Sequence, residues 1–499
     1  MTDVSATYWN ATAAAPAFPL LTGELSVDVA VVGGGLVGTI TARLLKDEGF
    51  SVALIEALRV GRGVTGKSTA KITSQHNLIY TKLKSKFGAD GARIYAEANE
   101  AGLRQILALA SEHRMSADIE PKAAFTYTRT EEHVGAIEAE VSLAQDLGLP
   151  ASLTRQTGLP FAVRSAMRWD DQAQFHPVKF AAGLAATIPD ERCHVFENAR
   201  VIDWDSDRIE TAAGLIRARH VVMATHLPLG QIGAYYALAH PHMHPVIAGR
   251  ALPERVPDGM YINVEQPRHS IRSHISAGGE PYLIFTGPAF KPSQQEAERN
   301  AFAEIEQFAR EQFGVSAEYR WTNEDYTPVD GTPFVGWSAR LTSGFLVATG
   351  FDAWGISTGA AAAMLITDLI AGRENSWIGF FDASRIDAIH GAAEFARANA
   401  GVAKHLVGGY LSDRPGRAEQ LQPGKAAVLK INGQKIGAFR ENSGELHLVS
   451  AVCSHMGCVV GWNEVDRTWD CPCHGSRFSF EGEVLHGPAT RPLGTGITG

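Results

Sequence analysis

Cysteine is scarce in this chain, with five residues in 499, far too few for a secreted disulfide scaffold. Basic charge is also short: 45 Lys and Arg stand against 54 Asp and Glu, a formal net charge of -9. That balance argues against nucleic acid or an anionic membrane as a main partner, because each would favour an excess of Lys and Arg. Long apolar runs are missing too. The most apolar helical stretch, residues 360–372, is too short to span a bilayer and carries Asp368, so no membrane span is expected. The N-terminus, MTDVSATYWNATAAAPAF, lacks both the basic start and the apolar core of a secretion signal, and a cytoplasmic location is expected. What remains is an ordinary globular composition, 45% hydrophobic and 20% charged, with enough chain for two or three domains.

Residues 27–32 (VDVAVV) are apolar except for Asp28, as in parallel strands covered on both faces. Glycines interrupt the run at 33–38, a helical pattern follows to residue 48, and Gly49 closes it before a second apolar run, 52–55, that ends at Glu56. This is a βαβ unit. Helical patterns at 90–112 and 292–313 then alternate with strand-like stretches such as 221–224 and 282–286, and a strand (344–349), a Gly-rich turn and a helix (359–369) recur. After that the texture changes. Residues 392–400 read as helix, 408–423 as a Pro/Gly/polar connection, and strands at 426–431, 435–440 and 446–451 are separated by turn signals such as Asn432-Gly433. The expected fold class is α/β (α+β), with a Rossmann-type nucleotide-binding lobe and a mixed-sheet substrate lobe interleaved over 1–390. A helix and linker at 391–417 and an all-β domain at 418–499 complete the expected division.

Gly33, Gly35 and Gly38 form G-x-G-x-x-G directly between strand and helix, the context that gives the motif meaning. The first glycine permits a tight turn, the second lets a pyrophosphate approach the helix N-terminus, and the third lets helix and strand pack closely. Glu56, at the end of the next strand, can accept hydrogen bonds from ribose hydroxyls and disfavours a 2′-phosphate. The motif alone leaves nicotinamide and flavin both open. A second match, Gly61, Gly63 and Gly66, has no strand leading into it and is expected to help close the first site.

Four of the five cysteines crowd into residues 453–473, while Cys193 stands alone and reads as a small buried hydrophobe. Two loops, Cys453-Ser454-His455 and Cys471-Pro472-Cys473-His474, each offer one thiolate and one imidazole, with fifteen residues between His455 and Cys471. A Rieske-type [2Fe–2S] centre needs that arrangement, since one iron takes two cysteines and the other two histidines. Structural Zn²⁺ accepts the same donors, but zinc-finger loops do not bring this spacing within a small β domain. The expected metal ligands are therefore Cys453, His455, Cys471 and His474.

Over residues 27–385 the chain resembles the amino-acid-oxidase-like (DAO) family of flavoproteins. The likeness rests on VVGGGLVG, on Glu56 followed by GRGVTGKSTA, and on DQAQFHPVKF, TPVDGTPFVG and ATGFDAWGISTG in that order. It implies FAD as the cofactor, with Thr65 and Ser68 near the pyrophosphate, Val201 near the adenine, and Gly355, Ile356 and Ser357 near the flavin ring. Members with covalent FAD carry a histidine in the loop after the ribose acid. The matching position here is Lys67, so FAD is expected to be non-covalent, with His76 a lesser attachment candidate. Residues 418–493 resemble Rieske domains, which implies a disulfide between Cys458 and Cys473 and a hydrogen bond from Ser476 to a bridging sulfide. A disulfide in the cytosol runs against the compartment rule. Phe478 stands where many high-potential members have a tyrosine, and losing that donor should lower the potential.

The combined architecture resembles a bacterial group of FAD-dependent oxidoreductases fused to Rieske domains. It implies a dehydrogenase that oxidises an amine or amino-acid-type substrate and passes electrons through the cluster to a one-electron acceptor such as a ferredoxin or cytochrome. Arg272, His176 and Trp354 are the candidate catalytic residues, with His274 a similar case, and Arg272 is a candidate clamp for a substrate carboxylate. The connection 408–423 is expected to tether the cluster near the flavin. Two other readings stay open: a redox sensor or electron-transfer module with no dedicated amine substrate, and an NAD(P)H-fed reductase. The latter class needs two dinucleotide fingerprints, and only one stands in the right context.

Overall fold

A computed structural model describes residues 7–14, 16–338, 345–385, 399, 410 and 417–495. At its centre the strand Gly23–Val32 runs parallel to Val52–Ile55 on one side and to Gly214–Met223 on the other. These belong to an eight-stranded sheet, and Val29, Val31, Val52 and Leu54 are fully buried in its core. The helix Leu36–Asp47 follows the first strand directly. It packs so tightly that a Cβ on Gly38 would lie 1.9 Å from the Gly33 carbonyl oxygen. Only glycine fits there.

A second eight-stranded sheet runs from Tyr319–Pro328 at one edge to Ala151–Thr154 at the other. It is mixed, because Met260–Asn263 pairs in parallel with Ala124–Thr128 while its other pairs are antiparallel. Helices Tyr80–Glu112 and Ser357–Ile370 pack between the two lobes' cores. Gly102 makes their close crossing, since a Cβ there would meet the Ser357 carbonyl oxygen at 2.1 Å. Gly102→Ala should therefore push the two helices apart and lower the unfolding free energy by about 1–3 kcal/mol, the usual cost of overpacking. Denaturant melts of parent and variant check this.

The C-terminal part is all β. Strands Ala426–Ile431, Gln434–Arg440 and Leu446–Ser450 form one antiparallel sheet, and Gly461–Asn463, Thr468–Asp470, Arg477–Ser479 and Val484–His486 form another. Phe439, Trp462, Trp469 and Phe478 fill the space around them. The expected two-lobed α/β body with an all-β C-terminal domain is thus what the chain adopts.

Element limits differ in instructive places. The helix read from residue 90 begins at Tyr80 and turns a corner at Gly88, whose φ of 76° breaks the periodic pattern. The strand read at 221–224 is the buried end of the ten-residue Gly214–Met223, whose first half alternates and is partly exposed. All of the helix read at 392–400 except residue 399, and half of the connection 408–423, lie outside the described residues. Among the described residues, no helix is long and apolar enough to cross a membrane.

Candidate functional site

A cavity of about 540 Å³ lies where Gly23–Val32, Val52–Ile55, Gly214–Met223 and Phe345–Thr349 end. Gly33, Gly35, Glu56, Thr65, Ser68 and Val201 line one part of it, and Trp354, Gly355, Ile356 and Ser357 another. Gly38 does not reach the cavity and instead makes the helix–strand contact already described. Glu56 is braced at the turn, its Oε2 accepting the Gly34 N–H at 2.7 Å and its Oε1 the Leu58 N–H at 2.9 Å. Burial raises its carboxyl above the ordinary value even so. The helix beginning at Leu36 is N-capped by Gly35, which has no side chain to fill its N-terminus, the setting in which a helix N-terminus takes an anion. Thr65 Oγ1 accepts the Leu36 N–H at 2.9 Å and Ser68 Oγ donates to the Thr65 carbonyl at 3.0 Å, so the second glycine loop does close over the first. Gly63 of that loop lines the cavity as well.

On the far side Ser357 Oγ donates to the Thr73 carbonyl at 2.7 Å and lies 2.9 Å from Asn99 Oδ1. Trp354 stacks on His76 with centroids 4.4 Å apart. Both nitrogens of His76 are engaged, Nδ1 with the Tyr95 hydroxyl at 2.6 Å and Nε2 with the Thr73 carbonyl at 2.8 Å. Burial pulls this imidazole down to about 3, so it is neutral.

The Cys/His window forms two loops of the all-β domain. Cys453 and Cys471 are buried free thiols, whereas Cys458 and Cys473 are joined with their sulfurs 1.99 Å apart. The rings of His455 and His474 stand 5.1 Å apart and nearly perpendicular. Nδ1 of each is buried with no hydrogen-bond partner among the described residues. Buried nitrogens without partners are rare, and with two free thiols on the same loops they make a donor set that a metal centre completes. Ser476 Oγ is buried and accepts the Ala489 N–H at 3.0 Å.

Comparison with known proteins decides the identity of both parts. The family described as FAD dependent oxidoreductase (DAO) matches residues 28–369, and the Rieske [2Fe-2S] domain family matches residues 415–496. The chain belongs to the DAO family of FAD-dependent oxidoreductases. Its C-terminal part is a Rieske domain. The Rieske 2Fe-2S iron-sulfur protein YhfW of Bacillus subtilis is 34% identical over 98% of this chain and 96% of its own length. The γ-glutamylputrescine oxidoreductase of Escherichia coli is 22% identical, covering 78% of this chain and 92% of its own. Among solved structures, glycine oxidase from Geobacillus kaustophilus superposes with a TM-score of 0.60 at 19% identity, over 72% of this chain and 99% of that one.

The glycine at the helix N-terminus, the close glycine contacts and the braced Glu56 fit FAD, and the orphaned imidazole nitrogens beside free thiols fit the [2Fe–2S] cluster. The two sites are not joined by a tether alone, as the sequence led us to expect. The Rieske domain docks on the flavoprotein body through a buried seam. Lys67 Nζ sits 2.6 Å from Asp466 Oδ2. The same carboxylate accepts the Thr322 hydroxyl at 2.7 Å and Arg477 at 2.7 Å. Burial alone would raise the Asp466 carboxyl, but Lys67 and Arg477 more than offset this and hold it well below the usual range. Nearer the cluster, Tyr326 donates to the His474 carbonyl at 3.1 Å, and His455 Nε2 meets the Gly230 carbonyl at 3.0 Å. The Tyr236 ring stands edge-on to both His455 and His474, 5.4 and 5.0 Å away. The flavoprotein body thus covers the histidine edge of the cluster site.

Of the expected catalytic residues only Trp354 lines the cavity. Arg272 is 1% exposed, and its guanidinium donates to the carbonyls of Ala70, Phe175 and Ser273 at 2.7–3.0 Å and lies over the Trp9 ring. This corrects its reading as a carboxylate clamp: Arg272 does not line the cavity, its Nε and Nη1 are spent on those carbonyls, and Nη2 is buried with no partner among the described residues. His176 caps the helix Pro177–Ala185 and meets the Thr12 hydroxyl at 3.0 Å, and His274 meets the Tyr8 hydroxyl at 2.8 Å. Both anchor the N-terminal helix Tyr8–Thr12 and neither lines the cavity. The cavity wall instead carries Lys71, His226, Asp325 and His486, which the sequence reading passed over. For Lys71 the available signal was a lone cation amid the small and apolar residues of STAKIT.

Proposed function

We propose that the protein is a dehydrogenase acting on the CH–NH bond of an amine or amino-acid-type substrate, with its electrons leaving through the Rieske centre to a one-electron acceptor such as a ferredoxin or cytochrome. The observation that carries this reading is one cavity with the nucleotide motif in its wall, Lys71 facing it, and residues 485–490 of the Rieske domain along its side. FAD, when bound, accepts a hydride equivalent, and the cluster carries single electrons. The E. coli and Geobacillus proteins above are named for amine and amino-acid donors, which favours a donor of that class here. FAD is taken to be non-covalent, because Lys67 is committed to Asp466 and both nitrogens of His76 are engaged.

Lys71 supports the substrate class. Its Nζ donates to the Tyr261 carbonyl at 2.8 Å and to the Ser270 hydroxyl at 2.5 Å. Loss of hydration, with repulsion from Arg272, pulls its ammonium down to about 7. A neutral Lys71 can take the proton that a substrate ammonium must lose before its α-hydrogen can leave as hydride. The product imine would hydrolyse to an aldehyde or keto acid plus amine.

Anaerobic titration against a panel of amines and amino acids tests the reading, with flavin absorbance as the readout. A member of the panel should bleach the flavin, and NADH should not. The bleaching rate should rise with pH through about 7 as the base form of Lys71 grows in. Lys71→Met should lose that rise and slow bleaching by about 10²-fold or more, the ordinary weight of a general base. Rapid reduction by NADH with no response to the panel would overturn the proposal in favour of an NAD(P)H-fed reductase.

A further inference from the structure

We propose that the Rieske domain supplies one wall of the FAD site, through residues 485–490, and that the Lys67–Asp466 ion pair makes flavin binding and docking of that domain one coupled event. Nothing in this depends on which substrate or acceptor the enzyme uses.

The wall is visible in the cavity itself. Leu485, His486, Gly487, Ala489 and Thr490 line the same space as Gly33, Glu56 and Thr65. Arg200 and Thr490 also line a second, smaller cavity together with Glu483 and Pro492. The segment therefore passes over the end of the main cavity where Arg200 and Val201 lie, the adenine end by family likeness. Further along, His486 Nε2 meets His226 Nδ1 at 3.3 Å. Burial, with His226 and Arg477 nearby, holds the His486 imidazole well below its ordinary value, so it stands in the wall as a neutral ring.

The coupling comes from the short helical turn Val64–Lys67. One part of it, Thr65, is bonded to the first N–H of the nucleotide-binding helix. Its last residue, Lys67, is bonded to Asp466 across the seam, and the Lys67 carbonyl accepts the Trp321 indole N–H at 2.7 Å. Asp466 is 2% exposed. If the pair broke, Asp466 would still have Arg477 but the Lys67 ammonium would lose its carboxylate, and removing one partner of a buried pair is strongly destabilising. The turn cannot move to admit or release the pyrophosphate without disturbing that pair, and the Rieske domain cannot lift off without breaking it. Whatever binds only the docked arrangement stabilises it, and the effect is reciprocal.

The test is FAD affinity of the full-length, cluster-loaded protein stripped of flavin, measured by quenching of flavin fluorescence. Lys67→Met and His486→Ala should each raise the Kd about tenfold or more, within the usual range of coupling between sites. Iron content and the visible circular dichroism of the cluster should stay at parent values, which separates this result from loss of the domain. Lys67→Arg should restore most of the affinity. In the parent, saturating FAD should raise the temperature at which the cluster absorbance is lost, and Lys67→Met should shrink that rise. FAD binding within about twofold of parent in both variants, or a cluster midpoint that ignores FAD, would overturn the proposal. Weakening in only one variant overturns the half that the other tests.

Discussion

Cys453→Ser should leave the purified protein without its cluster iron, against about two irons per parent chain, and should cut steady-state reduction of a one-electron protein acceptor by roughly 100-fold or more. The size follows from the ligand set. Even a hydrogen-bond partner of a metal ligand is worth roughly 10–100-fold in affinity or activity, and Cys453 is one of only two free thiols on the cluster loops. Serine offers a poorer donor at the same position. His455→Ala should act in the same direction, because it removes one of the two imidazoles proposed to distinguish this centre from an all-cysteine one. With FAD supplied in excess, reduction of the flavin by substrate in a single turnover should remain fast in both variants. The measurement is therefore a pair: stopped-flow bleaching of the flavin and steady-state reduction of cytochrome or ferredoxin. Normal turnover of the variants with oxygen as sole acceptor would make the cluster an accessory and the enzyme an oxidase.

Gly38→Ala should yield protein that retains iron but holds FAD at no more than about a tenth of parent occupancy. A methyl group at this position would have to occupy space 1.9 Å from the Gly33 carbonyl oxygen and 3.1 Å from its carbon. Both are backbone atoms at the head of the nucleotide-binding turn, so no side chain can rotate out of the way. The helix must shift outward, and its N-terminus moves with it. Overpacking of this kind costs about 1–3 kcal/mol of stability and occasionally more. The larger consequence falls on binding, because the pyrophosphate site is the geometry being displaced. Flavin absorbance per iron in the purified variant reports the outcome directly. A parent-like ratio would mean that the turn tolerates the shift and that other contacts hold the cofactor.

The parts of this site that could be read in the sequence are those whose chemistry is local. Gly33, Gly35, Gly38 and Glu56 act within one βαβ unit, and the two Cys/His loops lie within a single small domain. Residues joined across the chain could not be read. Lys67 and Asp466 are 399 positions apart, and neither has a neighbour that announces the other. The connection between the domains has the composition of a flexible linker, but composition says nothing about whether two surfaces complement one another. Arg272 misled for a different reason. An arginine in a strand near the site looks the same in sequence whether it faces a ligand or donates inward to carbonyls, and here it is the carbonyls that hold it. Lys71 is the reverse case, since its environment is what gives it chemical interest and no motif encodes that environment.

The buried seam also bears on how such a fusion can be taken apart or assembled. A domain carried as a bead on a string can be cut away by expressing either half alone, and new partners can be swapped in by recombination. This pair resists both. Severed at the connection, the flavoprotein half would expose Tyr326 and Glu324, buried at 0% and 2% in the whole chain, and would leave Lys67 without its carboxylate. The Rieske half would expose Asp466 and His474. Grafting a Rieske domain from another protein would meet the same mismatch unless it brought an acid at the position of Asp466 and glycine at that of Gly475, where a Cβ would strike Glu324 and Tyr326. A working exchange would therefore have to carry both faces of the seam, so that the two halves travel as one part.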